Sequence, residues 1–219
     1  MLEKMGEFFD SRLHDYDEHQ LTDIDSAMEF YPFTASCLPQ ISYSCVLDLG
    51  CGTGLELGYY FKTVHTARIT GIDIAPGMLE VLGNKFQDKS LKLILGSYFD
   101  VPLGVNKFDA VVSVESLHHF TKEEKVPLYA RVRKSLKFDG YFIITDYFAL
   151  SNEEERFCRA ELIRLKREQH ILDNEFYHYD TPLTVLHETE ALQKAGFASV
   201  EVLKQWGATC TLKAGKEFR

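Results

Sequence analysis

Three glycines at alternate positions, Gly50, Gly52 and Gly54, close the segment "VLDLGCGTG" (46–54), directly behind a hydrophobic run that contains Asp48. A buried strand that turns sharply into a helix needs residues that tolerate positive φ and let a ligand lie against the backbone. The following helix, opening "LELGYYFK", points its free N–H groups and positive dipole end at the same place. The chemistry expected there is binding of a ligand with negative or electron-rich groups. Asp73 stands 19 residues after Gly54 at the end of the next apolar run. A carboxylate at that place can accept hydrogen bonds from both hydroxyls of a ribose. Its other reading is a helix cap ahead of "APGML". His118 and His119, in "ESLHHF", follow a later apolar run. Histidine titrates near neutrality and suits a general base, and a structural or cofactor-packing role is the alternative.

Two cofactor classes use such a turn, dinucleotides and S-adenosylmethionine. The dinucleotide fingerprint G-x-G-x-x-G has a third glycine where this chain has Leu55, so NAD and NADP are not expected. A second aromatic cluster, "EFYHYDTP" (175–182), offers Tyr177, His178 and Tyr179 to an acceptor pocket, or else forms a partly buried loop. No His, Cys or Asp cluster shows metal-ligand spacing, and no metal is expected. No Ser-His-Asp arrangement follows from residue order.

The elements that must position these residues alternate between short β-rich runs and helical stretches. "SCVLDLG" (44–50), "ARITGID" (67–73), "LKLILGS" (91–97), "FDAVVSVES" (108–116) and "GYFIITDYF" (140–148) read as strands buried on both faces. Between them, 76–86 and 123–137 have helical spacing, with Leu128, Val132 and Leu136 on one face. Strands alternating with helices predict right-handed crossovers and a doubly wound α/β sheet, mostly parallel, with helices on both faces. Residues 1–40 read as a helical cover rich in aromatics, and 149–181 as an insertion or lid. Ser151 and Glu154 form a capping-box pair ahead of a charged helix striped with Cys158, Leu162, Leu165 and Leu172. A later helix is expected from Thr181, with Pro182 first, to Gly196, and two last strands near 197–205 and 207–213.

The whole chain bounds the function classes. Its 219 residues suit one sizeable core, so a single domain spanning 1–219 is expected. No apolar run reaches the roughly 18 residues of a membrane span, and the charged start "MLEKMGEFFDSRLHD" lacks a signal-peptide core. Five scattered cysteines without a C-x-x-C pair predict reduced thiols and a cytoplasmic location. A formal net charge of −9 makes a nucleic-acid partner unexpected. The oligomeric state stays open between monomer and homodimer.

Taken in order, these segments resemble a class I S-adenosylmethionine-dependent methyltransferase. "VLDLGCGTG" is similar to that family's first motif and "GIDIAPGMLE" to its second. "LKLILGSYFDVP", "FDAVVSVESLHHF" and "LKFDGYFIITDYF" are similar to the segments that follow, and "LQKAGFASVEV" to the late helix–strand junction. The similarity spans roughly 44–148 and 182–213, while "FFDSRLHDYDEH" resembles an entry helix folded over the cofactor. It implies a Rossmann-like, seven-stranded sheet and S-adenosyl-L-methionine as cofactor. It further implies that Gly50, Cys51, Gly52 and Gly54 line the methionine part, with Asp48 near its ammonium. Asp73 would hold the ribose, and Ile74 and Met78 would flank the adenine. Ser97 replaces the family's usual Asp beside Tyr98, which implies a weaker or water-mediated adenine contact. Glu115 and Ser116 would lie beneath the methyl donor, with Tyr16 and Arg12 closing the site. The function implied is methyl transfer to a small-molecule acceptor. The rivals are a non-catalytic S-adenosylmethionine- or nucleotide-binding regulatory protein and a tRNA-modifying enzyme.

Overall fold

A computed structural model describes residues 1–172 and 175–217. Residues 173 and 174, inside the expected lid, lie outside the described residues.

Seven strands form one sheet in the order β3-β2-β1-β4-β5-β7-β6. β1 (Cys45–Leu49), β2 (Arg68–Asp73), β3 (Ser90–Leu95), β4 (Phe108–Val114) and β5 (Leu136–Tyr147) run parallel. β7 (Thr209–Gly215) lies antiparallel between β5 and β6 (Ser199–Trp206). The apolar runs explain the layering, because successive strand residues face opposite sides of a sheet. On β5, Phe142 and Ile144 join the core beneath α6 (Lys122–Ser135) and α8 (Val185–Lys194), contributed by Leu128, Val132 and Leu192. Ile143, between them, joins the opposite core of α3 (Ala27–Cys37), α4 (Leu55–Thr63) and α5 (Pro76–Lys85). A strand buried on both faces cannot alternate polar and apolar residues, hence the continuous hydrophobic runs.

β1 pairs with β2 on one side and β4 on the other, so the chain winds outward in both directions from it. Open α/β sheets place their ligand crevice at the carboxyl ends of the strands where the winding reverses, here between β1 and β4.

Several boundaries differ from expectation. β5 starts at Leu136, which leaves the α6 face and pairs with Phe108. The late helix is capped by Thr184, whose side chain accepts from His187 N–H, and not by Thr181. Thr181 N–H instead donates to the His118 carbonyl and ties the insertion to the site. Ser151 caps α7 (Asn152–Glu168) by accepting from Glu154 N–H, but the Glu154 carboxylate turns to Leu150 N–H and Tyr147 Oη. The full capping box is at Thr121 and Glu124, at the start of α6. α7 buries no residue, and Leu172, expected on its stripe, is exposed.

The N-terminal forty residues do not act as one cover. α3 is a core helix: Phe30 and Tyr31 are buried, and Thr34 Oγ1 lies 2.5 Å from Thr145 Oγ1 of β5. Two shorter helices, α1 (Met5–Asp10) and α2 (Tyr16–Thr22), precede it. Met5 N–H donates to the Phe176 carbonyl and His178 N–H to the Glu3 carbonyl, so the start of the chain and the returning insertion grip each other. Asp10 accepts from Gly77 N–H at 2.9 Å, which pins α1 to the start of α5.

Candidate functional site

The glycine turn is held open by backbone geometry. Gly50, Gly52 and Gly54 have φ of 72°, 46° and 73°, in the left-handed region that other residues avoid. A Cβ on Gly50 would lie 2.1 Å from Ser116 Oγ, whereas one on Gly52 would meet nothing nearer than Tyr16 Oη at 3.8 Å. The first glycine therefore lets the β1 and β4 loops touch, and the second leaves room for a ligand.

Asp73 accepts two backbone hydrogen bonds. One carboxylate oxygen accepts from Ala75 N–H at 2.9 Å, a local turn bond ahead of α5. The other accepts from Gly52 N–H at 2.8 Å and braces the glycine turn. Each oxygen keeps a further lone pair, so ribose hydroxyls can still be accepted. The side chain lines an inner pocket with Tyr16, Gly50, Gly52, Ile74, Met78, Ser97, Tyr98, Glu115, Ser116 and His119. Tyr98 Oη lies 3.1 Å from Ser116 Oγ and closes the floor.

Cys51, Gly54 and Asp48 stand apart from that lining. The Cys51 side chain packs against Gly71, where an added Cβ would lie 2.7 Å from its sulfur. Gly54 caps α4 and packs against Leu82 and Phe86. Asp48 is buried behind the turn beside Glu56, not in the inner pocket. Asp48 Oδ2 and Glu56 Oε1 are both buried without a partner. Burial raises both acids, and the adjacent Glu56 charge raises Asp48 further, the behaviour of two carboxyls sharing one proton.

A wider outer cleft of about 1070 Å³ adjoins the inner pocket, and Phe9, Tyr16, Glu115 and His119 line both. Arg12 lines the outer cleft, where it stacks on Phe8 at 3.6 Å and pairs with Glu3 at 3.3 Å. His178 also lines the outer cleft and stacks on Phe8, with ring centroids 3.5 Å apart. Tyr177 and Tyr179, expected beside it, line neither cavity.

At the junction, sequence reasoning missed two acids. Asp146, at the end of β5, accepts from Leu117 N–H and His118 N–H and lies 2.5 Å from His118 Nδ1. Asp180 brings Oδ1 to 3.6 Å from His118 Nε2 and 3.2 Å from His119 Nδ1. An acid at the carboxyl end of a strand was the available signal for Asp146. Asp180 carried none, being 61 residues beyond His119 in a loop. Glu115 sits at φ 47°, a left-handed conformation rarely adopted by a side-chain-bearing residue, and its Oε1 is buried without a partner.

Charge is finely divided here. Burial would lower His118, but the charge and hydrogen bond of Asp146 overcome it and raise His118 to about 9. Burial and the charge of His118 lower His119 to about 4. Burial, reinforced by Asp146, pushes Glu115 up to about 8. Neither histidine therefore titrates near 6–7, where a free side chain would.

A family model described as a methyltransferase domain matches residues 47–144. The seven-stranded sheet is the fold of solved methyltransferases. It is 28% identical to an uncharacterized methyltransferase of Geobacillus over 90% of this chain and 88% of that one. It is 31% identical to a fatty-acid O-methyltransferase of Mycolicibacterium smegmatis over 46% of this chain. That match spans only 36% of the relative, about a third of its length. Human N-acetylserotonin methyltransferase, solved in complex with S-adenosylmethionine, superposes with a TM-score of 0.66 at 18% identity, over 96% of this chain and 57% of that chain. This last likeness is one of fold. The ligand held in that human structure is S-adenosylmethionine. The ligand space at Gly52 and the free lone pairs of Asp73 fit it.

Proposed function

We propose that the protein is an S-adenosylmethionine-dependent methyltransferase acting on a small-molecule acceptor. The observation that carries this reading is the shared wall of the two cavities. The cofactor, bound along the glycine turn and Asp73, supplies an activated methyl group. Phe9, Tyr16, Glu115 and His119 stand between that position and the outer cleft, so an acceptor in the cleft meets the donor across them. Gly50, Gly52, Asp73, Ile74, Met78, Ser97, Tyr98 and Ser116 would hold the cofactor, with Tyr16 as its roof. Asp48 would act from behind the turn through Glu56, and Cys51 and Gly54 through the shape of the turn. Holding donor and acceptor in line can supply much of the rate.

The cleft lining disfavours a tRNA acceptor. Asp15, Asp23, Asp25, Glu115 and Asp180 all face it, against Arg12 as the one arginine or lysine among the described residues that line it, whereas nucleic acid is gripped by clustered Lys and Arg. The non-catalytic alternative is separated by turnover.

Calorimetry is expected to show S-adenosylhomocysteine binding at one site per chain, with no comparable affinity for NAD or NADP. Incubation with S-adenosylmethionine and a metabolite extract should release S-adenosylhomocysteine. Tight NAD binding without S-adenosylhomocysteine binding would sink the reading. Binding without turnover on any extract would favour the regulatory role.

A further inference from the structure

The cluster between the two cavities is built like a metal centre. His118 and His119 are adjacent on a 3-10 turn (Leu117–His119) at the end of β4, and Asp180 arrives from the insertion. Spacing along the chain hides this set, because only the tie from Thr181 N–H to the His118 carbonyl brings the insertion back to the turn.

We propose that His118 Nε2, His119 Nδ1 and Asp180 Oδ1 bind one divalent first-row transition-metal ion, of which Zn²⁺ is the working example. Three observations converge on it. The first is spacing. Metal bonds of about 2.0–2.2 Å at tetrahedral angles set ligand atoms roughly 3.3 Å apart. Asp180 Oδ1 lies 3.2 Å from His119 Nδ1 and 3.6 Å from His118 Nε2.

The second is orphaned polar groups. His119 is 6% exposed, and its Nδ1 is out of hydrogen-bonding alignment with Asp180 and has no partner. Glu115 Oε1, on the same wall, is buried and unpartnered too. Buried polar atoms are ordinarily satisfied, so two orphans facing one cluster call for a missing ligand.

The third is the supporting shell. Asp146 takes hydrogen bonds from two backbone N–H groups and meets His118 Nδ1. A carboxylate on one imidazole nitrogen fixes the tautomer that leaves the other nitrogen's lone pair free for metal, the arrangement usual around metal-bound histidine. A divalent ion would also balance the charges of Asp146 and Asp180. Two imidazoles and one carboxylate suit zinc or iron(II) better than the all-oxygen preference of magnesium or calcium.

His118, His119 and Asp180 all line the outer cleft, so a fourth coordination position would open into it. If the methyl-transfer reading is right, that position takes an acceptor oxygen and lowers its pKa by Lewis-acid polarisation. The site itself does not depend on that reading.

The full chain, stripped with a chelator, is titrated with Zn²⁺ by calorimetry and with Co²⁺ by visible absorption. The expected result is one ion per chain with a tetrahedral cobalt spectrum. Asp180→Asn and His119→Ala are each expected to weaken Zn²⁺ at least tenfold. Asp146→Asn should weaken it 10–100-fold, the usual cost of losing a carboxylate behind a ligand. His65→Ala, at an exposed site away from the cleft, should leave it unchanged. S-adenosylhomocysteine affinity, measured on the same samples, reports the fold and the neighbouring pocket. If His119→Ala fails to fold, the half-exposed Asp180 still supplies the same readout. No stoichiometric ion in the wild type, or equal affinity in Asp180→Asn and the wild type, overturns the site. Loss of S-adenosylhomocysteine binding with zinc retained would overturn the proposed methyl transfer and leave the metal site standing.

Discussion

Asp73 is the residue on which the proposed cofactor pocket most depends, because one carboxylate braces the glycine turn and lines the inner pocket. Asp73→Ala removes the acceptor of Gly52 N–H and Ala75 N–H together with that of the ribose. Hydrogen bonds to a charged group contribute about 1.5–3 kcal/mol each. S-adenosylhomocysteine affinity should therefore fall at least tenfold by calorimetry, with a measurable loss of thermal stability alongside. Normal binding by Asp73→Ala would reduce the residue to a turn-forming acid. His118 and His119 show how far residue type alone can mislead. Neutral-range titration suggested a base, yet Asp146 raises one and burial lowers the other, so they leave that range in opposite directions.

Between elements, β1 and α4 meet at Asp48 and Glu56. Both acids are raised in the folded protein, so the pair holds a proton there that the unfolded chain releases near pH 4. Its contribution to stability is full below that pH and is lost as pH rises through the folded value. Glu56→Gln should remove most of this dependence. Thermal melts are expected to match the wild type near pH 4 and to run above it at pH 8; a variant less stable at pH 8 would refute the shared proton. We further propose that α1, α2 and the returning insertion form a cover. Backbone and side-chain ties join them to each other and to α5, the Lys85 ammonium to Asp17 of α2 among them, but α7 beside them buries nothing. Hydrogen exchange in 1–22 and 175–181 should slow on adding S-adenosylhomocysteine, while α3, already in the core, should not respond. Unchanged exchange in 1–22 would argue against a cover.

At the scale of the whole molecule, one buried ion pair clamps α6 to α8 across the outer face of the sheet. Lys125 Nζ lies 2.7 Å from Glu188 Oε2, both side chains are at most 2% exposed, and Tyr129 donates to the same carboxylate. Removing one partner of a buried pair leaves an uncompensated charge and costs about 3–5 kcal/mol. Glu188→Ala should lose that much by denaturant unfolding. Lys122→Ala, which breaks the exposed pair with Glu190, should lose about 1 kcal/mol or less. Equal losses would mean that burial does not decide the strength of these pairs.

Local pattern was enough for the sheet, the glycine turn and most of the inner pocket. The continuous apolar runs imposed doubly buried strands, and "VLDLGCGTG" followed by Asp73 marked the ligand turn, because strand burial and positive φ are constraints carried by neighbouring residues. Tertiary structure decided what depends on residues far apart in the chain. It divided the N-terminal forty residues into two short outer helices and a core helix, since amphipathic spacing does not say which partner a helix will find. It set Asp48 against Glu56 and withdrew it from the pocket. It brought Asp146 and Asp180, from β5 and the insertion, onto the paired histidines. Charge and coordination act through space, over distances of a few ångströms that only the folded chain creates between such residues.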